Sequence, residues 1–476
     1  MGYDPRSGAS PQSMPSSPIL QPHPSSVTHP QPKGTYALVS LGCPKNLVDS
    51  ERMAGLLQLR GYRLVEQPEG ADFVVVNTCG FIGDARRESL QVIREMLELK
   101  QQGLLGGVIV AGCLAQRDGQ AMLRLCPQID QLVGVFARDE IGTAAERLLG
   151  GLEEQRTLFR PAPSRPLADG NRLRLTPRHL AYLKIAEGCD RSCSFCTIPQ
   201  IRGPYASKPI EQVVAEAEEL AADGVRELVL VAQDTSLYGR DLYGEPRLAR
   251  LLTRLEAVDG PAWIRLMYLY PMHVTEELID VLASAEKILP YLDLPLQHVN
   301  DEILRRMRRG VSRAETERLL DRLRGRIDSL VLRTTLIAGF PGETQRQFEE
   351  LLGFVRQRRF ERLGVFVYCE EPGTPAADLE GQIPEDVKQL RRDQLLTTQQ
   401  EITFGWNASR VGRRMDVLID RDIPGEKDAY LGRSYADAPE VDGAVYVTGA
   451  GLAAGQIVPC EIVASRDYDL IGAAYP

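Results

Sequence analysis

Strand-like and helix-like segments alternate along the first part of the chain, from Tyr36 onward. Short continuous apolar runs such as "YALVSLGC" and "FVVVNTCGF" predict buried strands. Between them, "LVDSERMAGLLQLRGY" and "ARRESLQVIREMLELKQQG" carry apolar residues at helical spacing and predict amphipathic helices. This alternation is typical of a parallel sheet with helices packed on it. We therefore expect an α/β domain over residues 34–150.

Six more strand-like segments alternate with helical ones in the middle of the chain. The helices between them include "PIEQVVAEAEELAADG" and "ETQRQFEELLGFVRQ". The pattern predicts a (β/α) barrel, or a six-stranded part of one, over residues 175–406, with its chemistry at the carboxyl ends of the strands. The six segments are "YLKIAEGC", "ELVLVAQDT", "WIRLMYLYP", "YLDLPLQH", "VLRTTLIAGF" and "RLGVFVYC".

The pattern changes at both ends of the chain and between the two domains. Residues 407–476 hold short strands separated by Gly, Pro and Asp, which predicts a small all-β barrel. Residues 1–33 are rich in Pro, Ser and Gln with few large apolar side chains, so we expect a disordered tail. Residues 151–174 contain several Pro and Arg and are expected to link the first two domains.

Composition limits the class of protein. Apolar residues make up 43% of the chain and charged residues 25%, which is ordinary for a globular protein. The longest apolar runs are strand-length, so we expect a cytoplasmic protein without membrane contact. The formal net charge of −9 argues against a protein that mainly grips nucleic-acid phosphates. Nine cysteines in such a chain favour thiolate ligands or free thiols over disulfides.

Three of these cysteines, Cys43, Cys79 and Cys113, each close a predicted strand of the first domain. Their separations of 36 and 34 residues are close to the length of one strand–helix–strand unit. Successive parallel strands therefore bring the three thiols to one edge of the sheet, where open α/β sheets bind ligands. The neighbouring glycines at positions 42, 80 and 112 are expected to leave room for a bulky inorganic group.

Three convergent thiolates suit an iron–sulfur cluster in which one iron is not held by cysteine. Two other interpretations stay open. Each cysteine is an inert packing residue in one of them, as single buried cysteines usually are. The other is a zinc ion, although structural zinc normally takes four protein ligands, often in close CxxC pairs.

A second cysteine group directly follows the strand "YLKIAE". The segment "EGCDRSCSFCTIP" places Cys189, Cys193 and Cys196 at CxxxCxxC spacing. A loop this tight can hold three irons of a cubane and leave the fourth open to the amino and carboxylate groups of S-adenosylmethionine (SAM), whose one-electron cleavage gives a 5′-deoxyadenosyl radical. Phe195 is expected to shield this cluster from solvent. A zinc knuckle is the alternative, but no fourth Cys or His lies nearby in the sequence.

Other residues with reactive or charged side chains are given structural roles. Cys126, Cys369 and Cys460 have no comparable setting and are interpreted as packing residues. His298, at the end of a barrel strand, is expected to be a hydrogen-bonded wall residue. A basic run is interpreted mainly as a solvated helix face, with contact to ribosomal RNA as the alternative; it contains Arg305, Arg306, Arg308, Arg309 and Arg313.

Several long motifs resemble those of the radical-SAM methylthiotransferases, and in particular the RimO type. They are "SLGCPKNLVDSE", "VVVNTCGFI", "GCLAQR", "GCDRSCSFCTIPQIRG", "LIAGFPGET" and "SYADAPEVDG". The resemblance covers about residues 34–475. It implies an N-terminal methylthiotransferase domain, a radical-SAM partial TIM-like barrel and a C-terminal TRAM barrel, which are the three segments described above.

The resemblance also implies the cofactors and the reaction. Two 4Fe–4S clusters are expected, an auxiliary one on Cys43, Cys79 and Cys113, and a SAM-cleaving one on Cys189, Cys193 and Cys196. The reaction would add a methylthio group to the β-carbon of an aspartate in small-subunit ribosomal protein twelve (uS12), possibly on the ribosome. One SAM would supply the methyl group and another the radical, with electrons from a low-potential donor.

Loops after other barrel strands are expected to help bind SAM. The resulting set of cofactor-binding residues is Phe195, Gln233, Gly339 and Glu343. For Glu343, a carboxylate that only complements a helix dipole is an equally good interpretation.

Two alternatives to this function stay open. The first is a MiaB-type enzyme that modifies an adenosine of tRNA. The motifs favour the protein substrate, and so does the acidic C-terminal segment, which carries eleven acidic and six basic residues from position 411 on. RNA contact is therefore expected to be secondary. The second alternative is a non-enzymatic iron–sulfur carrier, which would need no SAM site.

Overall fold

A computed structural model describes residues 32–152 and 154–475 of the chain. The disordered tail expected over residues 1–33 lies, except for its last two residues, outside the described part. Throughout the described part, no helix combines the length and the apolar character that a membrane crossing requires.

The chain divides into two compact units. The stretch 151–174, expected as a linker, is shared between them instead of forming a separate connector. The first unit comprises residues up to Gly80, Ala85–Arg160 and Asn171–Leu175; the second comprises Phe81–Asp84, Pro161–Gly170 and the chain from Thr176 onward.

The first unit is built on a six-stranded parallel sheet, as the strand–helix alternation predicts. Its central strands are continuous apolar runs buried on both faces, which parallel sheets covered by helices require. Three short strands were not predicted, because two or three residues carry too little pattern. In the sheet order β2-β1-β3-β4-β5-β6, the strands are β1 Gly34–Ser40, β2 Tyr62–Leu64, β3 Phe73–Thr78, β4 Val108–Gly112, β5 Gln131–Val133 and β6 Thr157–Leu158.

Helices cover both faces of this sheet. The segment "AQRDGQAMLRLC" forms two short helices separated at Gly119, whose φ of +51° lies in the left-handed region that favours glycine. The helices are α1 Pro44–Leu59, α2 Gly83–Gln101, α3 Cys113–Asp118, α4 Gln120–Leu125 and α5 Ile141–Leu149, with a 3-10 turn over Val135–Glu140.

The second unit contains the predicted six-stranded parallel sheet, with its strands in sequential order. Two further strands, β8 Ala186–Glu187 and β9 Ala206–Ser207, form a separate small antiparallel pair. The six main strands are β7 Leu180–Lys184, β10 Glu227–Val231, β11 Trp263–Leu266, β12 Ile288–Asp293, β13 Val331–Ala338 and β14 Arg362–Val367.

Helices alternate with these strands and bury their apolar faces in one large core with them. Short 3-10 turns over Thr235–Leu237 and Pro271–His273 follow two of the strands. The helices are α6 Ile198–Arg202, α7 Ile210–Ala222, α8 Arg240–Tyr243, α9 Leu248–Glu256, α10 Glu276–Ser284, α11 Asp301–Arg306, α12 Arg313–Arg326, α13 Gln345–Arg358 and α14 Glu385–Ala408.

A closed five-stranded barrel ends the second unit, as predicted. Alternate residues such as Val417, Ile419 and Ile462 fill its interior. In the segment "AYLGRSYAD", the strand ends at Ser434 and a turn follows. The strands are β15 Arg414–Asp422, β16 Ala429–Ser434, β17 Val445–Thr448, β18 Ile457–Arg466 and β19 Asp469–Ala474.

A buried ionic seam joins this barrel to the six-stranded sheet; it consists of Glu227, Arg265, Arg362, Arg433 and Asp437. Glu227 binds Arg265 at 2.7 Å and also binds Arg433 of the barrel. Arg362 binds Asp437 at 2.7 Å. Glu227 and Arg362 are the first residues of their strands, so the seam lies at the amino ends of the sheet.

The seam keeps the Glu227 carboxylate ionised. Burial alone would raise the pKa of Glu227, but Arg433 and Arg265 outweigh it and hold the pKa below its usual value. A carboxyl group with a lowered folded-state pKa stabilises the fold above its unfolded pKa, near 4.5. This stabilisation is lost as the pH falls further, through the folded-state pKa.

Some acidic residues of the C-terminal segment pair inside the protein and do not face a partner. Asp420 binds Arg433 through two hydrogen bonds of 2.8 and 2.9 Å, and Asp442 accepts a hydrogen bond from Tyr291 at 2.6 Å. With Asp437, three of the eleven acidic residues are therefore turned inward. The excess of acidic over basic side chains left for a partner is smaller than the sequence suggests.

Replacement of Arg433 tests the seam. Arg433→Met leaves Glu227 buried with one cation fewer, so we expect it to lower the free energy of unfolding by about 3–5 kcal/mol. Arg421→Met, at an exposed position of the same barrel, should change it by less than about 0.5 kcal/mol. Urea unfolding followed by tryptophan fluorescence measures this unit alone, because Trp263 and Trp406 both belong to it. Equal effects of the two substitutions would contradict the role of the seam.

Candidate functional site

The three cysteines of the first unit lie beyond the carboxyl ends of neighbouring strands, as predicted. Cys43 precedes the first residue of α1, Cys79 directly follows β3, and Cys113 is the first residue of α3, directly after β4. Strand β3 lies between β1 and β4 in the sheet. The three loops therefore emerge side by side at one edge.

Glycines bring these three loops into contact. A methyl group at Gly42 would lie 2.7 Å from Cβ and 3.0 Å from Sγ of Cys79. One at Gly80 would lie 2.8 Å from the backbone of Leu114, next to Cys113. At Gly112, a methyl group would lie 2.7 Å from the Thr78 carbonyl oxygen. The interpretation of these glycines as space for a cluster is therefore wrong at positions 42, 80 and 112: their missing side chains let neighbouring segments approach one another.

Buried polar side chains fix the backbone of the cysteine loops. The Asn46 amide donates to the carbonyl oxygens of Leu41, at 2.7 Å, and of Thr78, at 3.3 Å, and so ties together the loops that carry Cys43 and Cys79. The Ser89 hydroxyl donates to the Cys79 carbonyl at 3.0 Å and accepts from its N–H at 3.1 Å. Side-chain support of this kind holds metal ligands in place before the metal binds.

The second cysteine loop is equally well held. Gly188 begins it with a φ of +74°, and any side chain there would collide with the Pro204 carbonyl. The Cys189 N–H donates to the Gly203 carbonyl at 3.1 Å, and the Ser194 hydroxyl donates to the Arg306 carbonyl at 2.7 Å. The loop is thus anchored at its start and again between Cys193 and Cys196.

Hydrogen-bond donors surround the sulfur atoms of this loop. The N–H groups of Arg191 and Ile198 donate to Sγ of Cys189 and Cys196, both at 3.4 Å. Burial raises the pKa of Cys189 to about 11 and that of Cys196 to about 12, despite these hydrogen bonds. The thiols of Cys189 and Cys196 are therefore protonated until a metal displaces the proton.

The residues fit a cubane cluster better than a single ion. Within residues 32–152 and 154–475, no three Cys, His, Asp or Glu side chains converge on one point in the way that ligands of one ion do. A cubane has no such requirement, because each cysteine binds an iron at a different corner. Thiolate donors with N–H groups directed at sulfur are the chemistry that iron–sulfur clusters use.

Gln233 and Phe195 lie at the carboxyl ends of the same sheet, near the cysteine loop. Gln233 follows β10, and its amide donates to Glu187 at 3.0 Å. Its carbonyl oxygen Oε1 is buried and has no partner in the described part of the chain. Phe195 makes an edge-to-face contact with Phe340, 6.4 Å between ring centroids, on the wall of a small aromatic cluster.

Glu343 and Gly339 form a closed loop after β13. The Glu343 carboxylate accepts from the N–H groups of Gly339, at 2.8 Å, and Phe340, at 3.2 Å, and binds Arg391 at 3.1 Å. Helix α13 begins after Thr344, and the Thr344 side chain caps it. The Glu343 carboxylate is therefore not the group that caps this helix. The geometry supports a role in shaping the loop more than a direct cofactor contact.

Two of the three cysteines expected to be packing residues are packed in hydrophobic clusters, and His298 forms the hydrogen bond expected of it. Cys126 and Cys460 lie within hydrophobic clusters, whereas Cys369 is half-buried and its sulfur lies 3.4 Å from Glu371. His298 is buried, accepts a hydrogen bond from the N–H of Asn300 at 3.0 Å, and has a pKa lowered to about 3 by burial, so it is neutral.

The interpretation of the basic run as a solvated face is wrong for one residue. Arg305, Arg306 and Arg308 are exposed, but Arg309 is buried and its Nη1 lies 3.6 Å from Sγ of Cys193. Sequence reasoning also missed Tyr270, which packs against Arg309. The position of Tyr270 after a barrel strand was a usable signal, because the other site residues share it.

The cysteine loop at the carboxyl edge of a six-stranded partial barrel defines the class of radical-SAM enzymes. Family models agree with this class along the chain: "Radical SAM superfamily" matches residues 183–355, "Uncharacterized protein family UPF0004" matches residues 35–134, and "TRAM domain" matches residues 411–474. Membership of the superfamily implies SAM and an iron–sulfur cluster.

Relatives that match nearly the whole chain identify the family within the radical-SAM enzymes. The chain is 46% identical to the ribosomal protein uS12 methylthiotransferase RimO of Lachnoclostridium phytofermentans over 92% of this chain and 99% of that protein. It is also 46% identical to the RimO protein of Pelotomaculum thermopropionicum, over 91% and 98%. The chain belongs to the RimO family of radical-SAM methylthiotransferases.

A solved structure shares the fold. The radical SAM methyltransferase TsrM from Kitasatospora setae superposes with a TM-score of 0.52 and 17% identity, over 72% of this chain and 74% of that one. At this identity, the likeness supports the fold alone.

The substitution Gly80→Ala tests the convergence of the first three cysteines. Because the new methyl group would collide with backbone atoms that cannot move aside, we expect the reconstituted protein to lose iron, from about eight toward about four atoms per chain. Gly353→Ala, where nothing lies within 4 Å of the added group, should keep the full content. Iron and sulfide assays measure the difference, and an undiminished content in Gly80→Ala would contradict the geometry.

Proposed function

We propose that the chain methylthiolates the β-carbon of an aspartate in ribosomal protein uS12. The observation that carries this proposal is the pair of three-cysteine groups at the carboxyl edges of two parallel sheets, in a chain whose near-full-length relatives are uS12 methylthiotransferases. In the proposal, Cys189, Cys193 and Cys196 hold a SAM-cleaving 4Fe–4S cluster, and Cys43, Cys79 and Cys113 hold an auxiliary 4Fe–4S cluster.

The residues of the second unit have distinct tasks in this reaction. When bound, the cluster and SAM together supply a 5′-deoxyadenosyl radical that can take hydrogen from an unactivated carbon. The unpartnered oxygen Oε1 of Gln233 is placed to accept a hydrogen bond from a ligand at this edge. The N–H groups of Gly339 and Phe340 are occupied by Glu343, so this loop contributes to the SAM site through its shape.

Phe195 and His298 complete the wall of the site. Phe195, within the cysteine motif, presents a half-buried ring that limits the access of water to the neighbouring sulfur atoms. His298 is neutral because burial lowers its pKa, so it adds no charge near the radical chemistry. A closed wall suits a reactive carbon radical, because it keeps out molecules that could donate a hydrogen atom to the radical.

The likeness to RimO proteins favours uS12 over tRNA as the substrate, and the enzyme family disfavours a simple iron–sulfur carrier. The inward acidic residues of the C-terminal barrel weaken the argument from charge alone, although an acidic excess remains for a basic protein partner. A low-potential electron donor, action on free or ribosome-bound uS12, and a cytoplasmic location belong to the same proposal.

Two cysteine substitutions separate the roles of the clusters. Cys193→Ala should reduce 5′-deoxyadenosine formation to background while the first cluster keeps its iron. Cys79→Ala should still cleave SAM but insert no sulfur. Chromatography of 5′-deoxyadenosine and mass spectrometry of uS12 measure the two effects. Methylthiolation that survives Cys79→Ala would show that the first cysteine group has another role.

The substrate is tested by offering both candidates to one enzyme preparation. Reconstituted enzyme with SAM and reductant is incubated with purified uS12 or with unmodified tRNA, and Cys193→Ala enzyme is the control. Mass spectrometry should show one methylthio group on an aspartate of uS12 and none on tRNA. A modified adenosine together with unmodified uS12 would overturn the proposal in favour of the tRNA enzyme.

A further inference from the structure

An arginine of the second unit is buried beside a cluster cysteine without an acidic partner. Arg309 is only 6% exposed, and its Nη1 donates to Sγ of Cys193 at 3.6 Å. Its Nη2 donates to the carbonyl oxygen of Pro295 at 2.6 Å. Among the residues that the structure describes, no carboxylate pairs with it. An arginine stays protonated in proteins, so its charge is not neutralised by an ion pair.

An aromatic ring fixes this cation in place. The guanidinium carbon of Arg309 lies 4.1 Å from the centroid of the Tyr270 ring, and that of Arg191 lies 3.8 Å from the same centroid. Both guanidinium groups therefore pack against this one ring. The Tyr270 hydroxyl also donates to the carbonyl of Arg309. Arg191 differs from Arg309 because Asp234 neutralises it at 3.1 Å.

One polar atom of Arg309 still lacks a partner. Its Nε is buried, and no acceptor for it exists within the described residues. Buried donors in native structures are almost always satisfied. An unsatisfied Nε on a side chain that already contacts Cys193 indicates an acceptor at the cluster site itself, such as a cluster sulfide or a group bound there.

We propose that Arg309 is a positioning residue that raises the reduction potential of the 4Fe–4S cluster held by Cys189, Cys193 and Cys196. This inference rests on the cluster assignment in the proposed function. Reduction adds one electron from a low-potential donor, so the reduced cluster carries one more negative charge than the oxidised one. A fixed positive charge and a hydrogen bond to a ligating sulfur both stabilise the more negative form.

A purely structural role makes a different prediction. If Arg309 only ties its loop to Pro295, its loss would lower stability or iron content, but a cluster that still forms would keep its potential. The potential of the loaded cluster therefore distinguishes the two roles. SAM turnover alone would not, because both roles predict a slower enzyme.

The experiment is a redox titration of the full-length reconstituted protein, followed by electron paramagnetic resonance. The signal of the open-iron cluster is recognised because it changes when SAM is added, and the auxiliary signal is the internal standard. Arg309→Gln removes the positive charge and keeps a polar side chain. Arg305→Gln, at an exposed position on α11, removes a nearby charge that does not contact the loop. Tyr270→Leu keeps Arg309 but removes the ring.

In Arg309→Gln, we expect the ratio of reduced to oxidised cluster at a fixed potential to fall about tenfold, equivalent to ~59 mV for one electron. Tyr270→Leu should shift in the same direction by less, and Arg305→Gln and the auxiliary signal should not shift. An unchanged potential in a loaded Arg309→Gln protein, or an equal shift in Arg305→Gln, would overturn the inference.

The Arg309→Gln protein could lose the cluster while the Tyr270→Leu protein keeps it. In that case, the reduction potential of the Tyr270→Leu protein is the test. An unchanged potential rejects the inference, and a lowered potential supports it. Absence of any SAM-sensitive signal in the unsubstituted protein would instead reject the proposed function. The two failures are therefore distinguishable.

Discussion

The carboxyl ends of parallel strands place the cysteines, and the rest of the structure depends on this constraint. In each unit, the loops that carry the thiols leave a parallel sheet at its carboxyl edge. In the first unit the loops must also touch, which requires glycine at positions where any side chain would meet the neighbouring loop. Three thiols distant in sequence thereby emerge on neighbouring loops at one edge of the sheet.

In the second unit, stabilising ion pairs and candidate site residues lie at opposite ends of the same strands. The ionic seam lies at the amino ends, where Glu227 and Arg362 begin their strands and pair with the C-terminal barrel. The cysteine loop, Gln233 and the loop closed by Glu343 lie at the carboxyl ends. Charges used to hold the barrel are therefore remote from the charges that act on the site, as in other barrels of this kind.

Much of this arrangement was predictable from sequence, and the misses have physical causes. The strands and both cysteine groups were found because apolar runs ending in cysteine recur at strand–helix–strand spacing. The edge strand Tyr62–Leu64 was missed because three residues carry no periodicity. Arg309 was missed because its neighbours Arg305 and Arg308 have the same side chain, and only tertiary packing buries one of them. The inward direction of Asp437 likewise depends on a distant partner, Arg362.

The central claim is that two separate groups of three thiols each hold a cubane. The most direct test is Mössbauer spectroscopy, with iron and sulfide assays, on anaerobically reconstituted full-length protein. We expect about eight irons per chain, all in 4Fe–4S clusters. About four irons per chain, or zinc bound in place of iron at either group, would contradict it.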